Sequence, residues 1–497
     1  MVKISQLTEG LAAVTTGQDP QITGLCSDSR EIKEGNCFFA LQGLRDDGCK
    51  YIAQAVQKGA SAIITDASTT FQEAGPIPIF AIKHLSRQLG EIASRFYQRP
   101  SEKLTMIGVT GTNGKTSISQ YIAMSMKLAS KNCGVIGTLG YGFPENLIPT
   151  THTTCDALIL QKQLSEIYQQ KAEAVAMEVS SHALDQYRTE AVAFDIAIFT
   201  NLTRDHLDYH GSMENYAAAK RKLFYSPGLK YAVINTDDAF GVELANELSD
   251  KLEVYCYGVE EKTKLITTQA HHIHLNNKGM TAKVNTPWGE GQLRSKLLGR
   301  FNINNLLAVL TTLQLLDIPF ETSLDCLAHI QTVPGRMQVF GGGKLPLVVV
   351  DYAHTPDALM QVLTALREHA HGTLWCLFGC GGDRDRGKRP LMGQIAERFA
   401  DQLVITDDNP RTENSAQIVA EIMNGLLCPW AAEIEHDRGA AIAHVISCAQ
   451  QGDVVLVAGK GHEDYQIIGT EKIPFSDSEQ IQIQLRLRQR VEQSQKT

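Results

Sequence analysis

The run Gly108-Val-Thr-Gly111-Thr-Asn-Gly114-Lys115-Thr116 limits this chain more than any other feature. An apolar strand, Leu104 to Val109, precedes it, and a helical pattern starts at Lys115. In such a turn, glycines let backbone N–H groups approach phosphate oxygens, and the helix N-terminus favours negative charge. Lys115 can reach the terminal phosphates, and the Thr116 hydroxyl can ligate Mg²⁺. The run departs from the strict GxxxxGK[ST] pattern, because Val109 stands where the first glycine would fall. A glycine turn that binds nothing has no need of this strand–loop–helix context. The expectation is an ATP site formed by Gly111, Thr112, Asn113, Gly114, Lys115, Thr116 and Ser117.

Around that loop the chain reads as three stretches, and 497 residues at roughly 150 per domain agree with about three domains. Residues 1–100 mix short strands and helices: Tyr51 to Lys58 read as a helix, Ala62 to Thr65 as a strand, and a helix near Leu89 to Tyr97 ends at Arg99-Pro100. Residues 101–333 carry further apolar runs at Ala174 to Met177, Phe194 to Phe199 and Tyr231 to Ile234. Their alternation with helical segments predicts βαβ units and a mostly parallel sheet. His271 to Trp288 is polar and alternating, and reads as a small antiparallel insertion.

Residues 334–497 follow Val333-Pro334-Gly335, an apparent hinge. Strands are expected at Leu347 to Val350, Leu374 to Phe378, Leu403 to Thr406 and Val454 to Val457. The pattern is Rossmann-like, with ligands expected at the carboxyl ends of the strands. The residues found there are Asp351 to His354, Gly379 to Arg384, Asp407 to Arg411 and Ala458 to Glu463.

Several side chains could complete a phosphate site. Glu178 follows the strand Ala174 to Met177, where a carboxylate can face the phosphates. His206, within Thr203-Arg204-Asp205-His206-Leu207-Asp208-Tyr209-His210, could hold a cation or be structural. Tyr216 to Phe224 reads as an amphipathic helix whose basic residues, Lys220 among them, form a solvated face. Phe301-Asn-Ile-Asn-Asn305 opens a helix whose amide could read an adenine edge. Arg336, after the hinge, could swing onto the phosphates.

Composition excludes other classes. Lysine and arginine against aspartate and glutamate give 46 − 55 = −9, so a nucleic-acid partner held by a basic surface is not expected. No apolar run approaches the roughly 20 residues of a membrane span, and MVKISQLTEG lacks the apolar core of a signal peptide. The eleven cysteines are scattered and odd in number, which reads as reduced thiols. The expectation is a cytoplasmic enzyme with no membrane insertion.

The motif set as a whole resembles the Mur ligases. It comprises GTNGKT, Glu178-Val-Ser-Ser-His182, RDHLDYH, YAAAK, FNINN, PGR and DYAHTPDAL, in that order along almost the whole chain. That resemblance implies an α/β protein of three domains: a UDP-substrate domain (1–100), a central P-loop-type ATPase domain (101–333) and a C-terminal Rossmann-like amino-acid domain (334–497). Folylpolyglutamate synthases share the loop and the ligation chemistry. They lack the first domain that Asp28-Ser29-Arg30 and Phe38-Phe-Ala-Leu41 suggest. A nucleotide-gated scaffold would not need the full set Lys115, Thr116, Glu178 and Lys220.

Within the family, Gly379-Cys-Gly-Gly-Asp-Arg384, Asp408-Asn-Pro-Arg411 and Gly459-Lys-Gly-His-Glu463 resemble members that add meso-diaminopimelate to UDP-N-acetylmuramoyl-L-alanyl-D-glutamate. Lysine-adding relatives lack the arginine. The extra carboxylate of diaminopimelate suits a bidentate guanidinium, and Glu463 can answer the adjoining ammonium. The resemblance places the nucleotide substrate on Leu25, Ser29, His152, Thr153, Thr154, Ser180, Gln186 and Arg188. It places diaminopimelate on Arg384, Asp408, Asn409, Pro410, Arg411, Gly459 and Glu463. ATP is placed on the loop with Asn305, Arg336 and His354. Mg²⁺ is placed on Thr116, Glu178, His206 and Lys220, the last as a CO₂-derived carbamate, an oxygen donor that suits a hard cation. An acyl phosphate is the implied intermediate, with Asp351 and His354 as candidate bases, third-domain closure about the hinge, and a monomeric chain.

Overall fold

The computed structural model describes residues 1–497 except 12–17, 43–46, 69–76, 151, 260–264, 277–278 and 495–497. The chain divides into two compact units, Met1–Thr267 with Thr311–Ile318, and Thr268–Leu310 with Pro319–Thr497.

The first unit holds a parallel sheet and a larger, mostly parallel one. Strands Gly24–Cys26, Asn36–Ala40, Ala62–Asp66 and Ile79–Ile82 lie in sequence order, all parallel. Helix Leu85–Phe96 covers them through Leu85, Leu89 and Ile92, which pack with Phe39, Ile64 and Phe80. The helix Ile52–Gln57 is shorter than Tyr51 to Lys58 because a 3₁₀ turn, Gly48–Tyr51, occupies its start. In the second sheet Thr105–Thr110 is central, with Ala174–Glu178 on one side and Ile196–Phe199 on the other, both parallel to it. Cys133–Gly137 lies beyond Ala174–Glu178, while Tyr231–Asn235 and Glu253–Gly258 extend the other side. A hairpin, Gly140–Phe143 with Asn146–Ile148, closes one edge.

Runs such as Ala-Val-Ala-Met are apolar throughout because the sheet is covered on both faces. Met106, Val175, Met177, Phe194 and Phe199 share one core with Leu160 and Leu164 of helix Ala157–Gln169. The order reverses at Thr105–Thr110, so its carboxyl end opens at a topological switch point, where α/β sheets bind ligands.

In the second unit, the antiparallel segment is longer than the sequence suggested. Strands Ile266–Asn276, Gly279–Thr286 and Gly289–Ser295 pair in succession, the first beginning at the division between units. The C-terminal sheet runs Gln338–Gly341, Leu347–Asp351, Val454–Ala458, Leu374–Phe378, Gln402–Ile405, Ala432–Ile434. Only the first pairing is antiparallel. Helices cover both faces of this sheet. At the starts of helices Arg438–Cys448 and Asp477–Ser494, Arg438 pairs with Asp477 at 2.7 Å, both side chains fully buried. All eleven cysteines are free thiols.

Candidate active site

The loop between strand Thr105–Thr110 and helix Lys115–Leu128 turns through two glycines in the left-handed region, Gly111 (φ +143°) and Gly114 (φ +86°). Gly111 has a second constraint: a Cβ there would lie 1.8 Å from Thr200 Oγ1. The segment after strand Ile196–Phe199 forms the floor of the loop. Thr112 N donates to Asn201 O (2.8 Å), Asn113 N to Asn201 Oδ1 (2.9 Å), and Thr200 Oγ1 to Asn113 O (2.6 Å). No side chain caps helix Lys115–Leu128, which leaves its N-terminus suited to an anion.

Two lysines converge on one oxygen of this loop. Lys115 Nζ donates to Gly111 O (2.9 Å) and Thr112 O (2.8 Å), and Lys220 Nζ donates to Gly111 O at 2.7 Å. Lys220 is not on a solvated face: it is 1% exposed and sits 4.2 Å over the Tyr216 ring. Its helix, Met213–Arg221, is amphipathic, but Lys220 falls on the buried face with Tyr216 and not on the solvated one. Burial and then Lys115 hold the Lys220 ammonium well below its ordinary 10.5, against an opposing pull from Asp205.

Glu178 is the last residue of its strand, and buried. Its Oε2 accepts from Thr116 Oγ1 (2.8 Å) and Thr138 Oγ1 (3.1 Å), its Oε1 from Thr138 N (2.8 Å). The glycine at 137 makes room, since a Cβ there would lie 2.1 Å from Glu178 Oε1. Two hard oxygen donors, the Thr116 hydroxyl and the Glu178 carboxylate, thus meet beside the phosphate loop, a set that fits Mg²⁺. His206 is placed differently. It packs edge-on against His182 (4.7 Å) and near Tyr216 (6.2 Å), and lies 3.4 Å from the Asp205 carboxylate. Among the described residues, no three His, Cys, Asp or Glu side chains form a metal cluster.

The expected nucleotide-substrate residues of the central sheet form one network. Thr153 Oγ1 lies 3.0 Å from Thr138 Oγ1, and Thr154 Oγ1 donates to Glu178 O (2.8 Å) and accepts from Ser180 N (3.1 Å). Arg188 donates to Thr154 O (2.7 Å) and to Gln186 Oε1 (2.6 Å). His152 is exposed on the turn before them. Leu25 and Ser29 belong to the N-terminal sheet region, where Ser29 Oγ donates to Gln54 Oε1 at 2.8 Å.

The second unit gathers the residues expected at the amino-acid site. Lys460, fully buried, holds Asn409 Oδ1 (3.0 Å), Glu463 Oε2 (3.1 Å) and Asp408 Oδ1 (3.5 Å). Asn409 Nδ2 then donates to Glu463 Oε2 (2.9 Å), because its Oδ1 is taken by Lys460 and Ile467 N. Burial raises the Glu463 carboxyl, but Lys460 and Asn409 outweigh it and the net shift is downward. Gly459, in the left-handed region, approaches Asp408, and Arg411 Nη1 donates to Gly382 O (2.8 Å). Pro410 O would meet a Cβ on Gly382 at 1.9 Å, so the two loops pack backbone to backbone. Arg384 is exposed on the first of them.

The remaining residues are more scattered. Arg336 stacks on Tyr352 at 4.9 Å, His354 Nδ1 contacts Tyr352 O (2.7 Å), and Asn305 donates inward to Asn302 (2.8 Å). The two oxygens of Asp351 accept Met337 N and Ala353 N, both at 2.8 Å. It fixes the turn after its strand. Thr138, Thr200, Asn201 and Lys460 were missed as site residues. The first three are polar residues directly after apolar strands, a detectable signal, and Lys460 lies within a motif already singled out.

Strand, glycine loop, uncapped helix and the Thr116–Glu178 pair define a P-loop-type nucleotide-binding fold. Its relatives narrow the class. Residues 21–97 match the family described as "Mur ligase family, catalytic domain", residues 109–313 "Mur ligase middle domain" and residues 335–461 "Mur ligase, glutamate ligase domain". The UDP-N-acetylmuramoyl-L-alanyl-D-glutamate--2,6-diaminopimelate ligase of Pseudomonas aeruginosa is 52% identical over 93% of this chain and 95% of its own. The enzyme of that name from Coxiella burnetii is 47% identical over 96% and 98%. A solved structure of a ligase of the same name superposes with a TM-score of 0.73 at 36% identity, covering 98% of this chain and 99% of the other. The chain belongs to the Mur ligase family.

Proposed function

We propose that this chain is an ATP-dependent, ADP-forming ligase that joins meso-2,6-diaminopimelate to the D-glutamate γ-carboxylate of UDP-N-acetylmuramoyl-L-alanyl-D-glutamate, a cytoplasmic step of peptidoglycan precursor synthesis. The observation that carries this reading is Arg411. Its guanidinium, donating to Gly382 O on a packed loop, is a carboxylate-binding group, and two residues before it Asn409 holds the Glu463 carboxylate, an ammonium-binding group. Near full-length identity to ligases named for that reaction supports it.

The chemistry runs in two steps. The γ-carboxylate attacks the γ-phosphorus of ATP, the bond to the β-phosphate oxygen breaks, and ADP leaves an acyl phosphate. The amine of diaminopimelate then attacks the acyl carbon, phosphate departs, and the amine proton is lost. The 111–117 loop and the uncapped helix N-terminus hold the phosphates, and Lys115 leaves its loop carbonyls to follow the γ-phosphate. Thr116 and Glu178 would hold Mg²⁺, joined by His206 and carbamylated Lys220, and the ion would offset phosphate charge. Carbamylation needs a neutral amine, which the buried position of Lys220 favours. Thr153, Thr154, Ser180, Gln186 and Arg188, with Leu25 and Ser29, bind the nucleotide substrate. Arg336, His354 and Asn305 serve ATP. Residues 1–100, 101–333 and 334–497 divide these roles.

Steady-state phosphate release with saturating ATP and nucleotide substrate, comparing meso-diaminopimelate with L-lysine, tests the reading. The expected result is strong preference for diaminopimelate, lost in Arg411→Ala while the nucleotide-substrate KM stays nearly constant. Equal use of lysine by the wild type refutes the specificity, and stimulation by a reduced folate with glutamate refutes the assignment of the UDP-linked substrate.

A further inference from the structure

We propose that Gly381 is a specificity-determining residue of the amino-acid site: the space left by its missing side chain is what lets Arg411 face a second carboxylate. The proposal rests on the ligase reading above. Three glycines sit in the loop after strand Leu374–Phe378, and their constraints differ. A Cβ on Gly379 would meet Thr406 O at 2.2 Å, and one on Gly382 would meet Pro410 O at 1.9 Å. Those glycines serve the close packing of two backbones. A Cβ on Gly381 would meet Arg411 Nη1 at 2.8 Å, then Arg384 Cγ at 3.6 Å and Asn409 O at 3.9 Å. Gly381 therefore lies against both arginines expected to hold diaminopimelate.

Backbone conformation does not explain this glycine, because it lies outside the left-handed region. An alanine fits the chain, and the conflict falls on the end of a flexible side chain. Which partner yields is decided by what holds the loop. Gly381 O accepts from Arg389 Nη2 (3.1 Å), and Arg389 is fully buried between Glu413 (2.8 Å) and Glu421 (2.7 Å). Gly382 N donates to Asn409 O at 2.9 Å on the facing loop. The loop is pinned from both sides, so the guanidinium of Arg411 moves. An acceptor without the second carboxylate, such as L-lysine, has no use for that guanidinium and is indifferent to its displacement.

The test uses the full-length protein, as wild type, Gly381→Ala, Arg411→Ala and the double variant, with diaminopimelate or L-lysine as acceptor. A charge-assisted hydrogen bond lost or bent predicts a KM for diaminopimelate raised roughly 10- to 100-fold in Gly381→Ala. The nucleotide-substrate KM, the melting temperature and the KM for L-lysine should stay near wild type. In the Arg411→Ala background, adding Gly381→Ala should change nothing further, since the atom it meets is gone. Wild-type diaminopimelate KM in Gly381→Ala, or an effect that persists in full without Arg411, overturns the proposal and leaves the ligase reading standing. A wild type that does not use diaminopimelate overturns both. If Gly381→Ala does not fold but the double variant does, the conflict with Arg411 is confirmed. If neither folds, the glycine serves packing and the proposal fails.

Discussion

Replacing Lys460 with methionine removes a positive charge that the Asp408 and Glu463 carboxylates share. In the wild type its ammonium lies 3.0 Å from Asn409 Oδ1, 3.1 Å from Glu463 Oε2 and 3.5 Å from Asp408 Oδ1. The lysine side chain is 0% exposed, those of Asp408 and Glu463 10% and 18%. Removing one partner of a buried ion pair costs about 3–5 kcal/mol, and the residual exposure of Glu463 places this case near the lower end. The pH dependence has a definite sign. With Glu463 held low, its contribution to stability is present above the unfolded carboxyl value and is lost as pH falls through the folded one. In Lys460→Met burial acts with less opposition and the carboxyl moves up. The stability deficit of the variant should then be largest near pH 8 and shrink toward about pH 5 as the orphaned carboxylate takes up a proton. Urea midpoints and slopes of both proteins across that range measure it. The same variant frees the Asn409 amide to rotate, so the KM for diaminopimelate should rise while that for the nucleotide substrate holds. A deficit below about 1 kcal/mol, or one of constant size across the range, refutes the counter-ion role.

In Gly137→Ala the new methyl would lie 2.1 Å from Glu178 Oε1 and push the carboxylate off Thr138 N. A fall in kcat of roughly a hundredfold with an unchanged circular dichroism spectrum is expected, and full activity contradicts the role of Glu178. Intact-mass measurement under CO₂ should show one added CO₂ that Lys220→Met loses. In CO₂-free buffer, where Lys220 is a free amine held below 10.5 by burial, the unfolded chain binds more protons, so stability should rise with pH up to about 10.5, and Lys220→Met should flatten that rise. Arg438→Met should lower stability by about 3–5 kcal/mol, and Arg438→Met/Asp477→Leu should recover much of the loss in denaturant titrations.

The sheets were legible because central strands announce themselves. Val454–Ala458 and Ala174–Glu178 are buried along their whole length, and Val454 to Ala458 and Ala174 to Met177 read as unbroken apolar runs. Ends were less legible. Glu178 and Asp351 close their strands as the final paired residues, where the sequence placed them just outside. The antiparallel segment from Ile266 to Ser295 was read too short because its outer strands, ITTQAHHIHLN and GEGQLRS, carry few strongly apolar residues to mark them. Strand order was invisible. That Thr105–Thr110 lies between Ala174–Glu178 and Ile196–Phe199 follows from pairings far apart in sequence, and this order delivers Thr138, Thr200 and Asn201 to the phosphate loop.

Lys220 shows where a rule of composition gave way to one of spacing. A basic residue on an amphipathic helix is ordinarily solvated, yet Tyr216 is four residues earlier and buried, and residues at i and i+4 share a face. That spacing, applied before the charge rule, leads to the observed ammonium over the Tyr216 ring. The overall charge of −9 is likewise no guide to the charge at the sites. Net charge governs long-range encounter, whereas a bound phosphate or carboxylate feels the few cations within a Debye length, about 8 Å, and those in low-dielectric surroundings most. Lys115 on the phosphate loop and Arg411 against a pinned loop are such cations. An acidic chain can therefore hold anionic substrates without a basic surface, because the few cations that matter are fixed by neighbours that composition does not register.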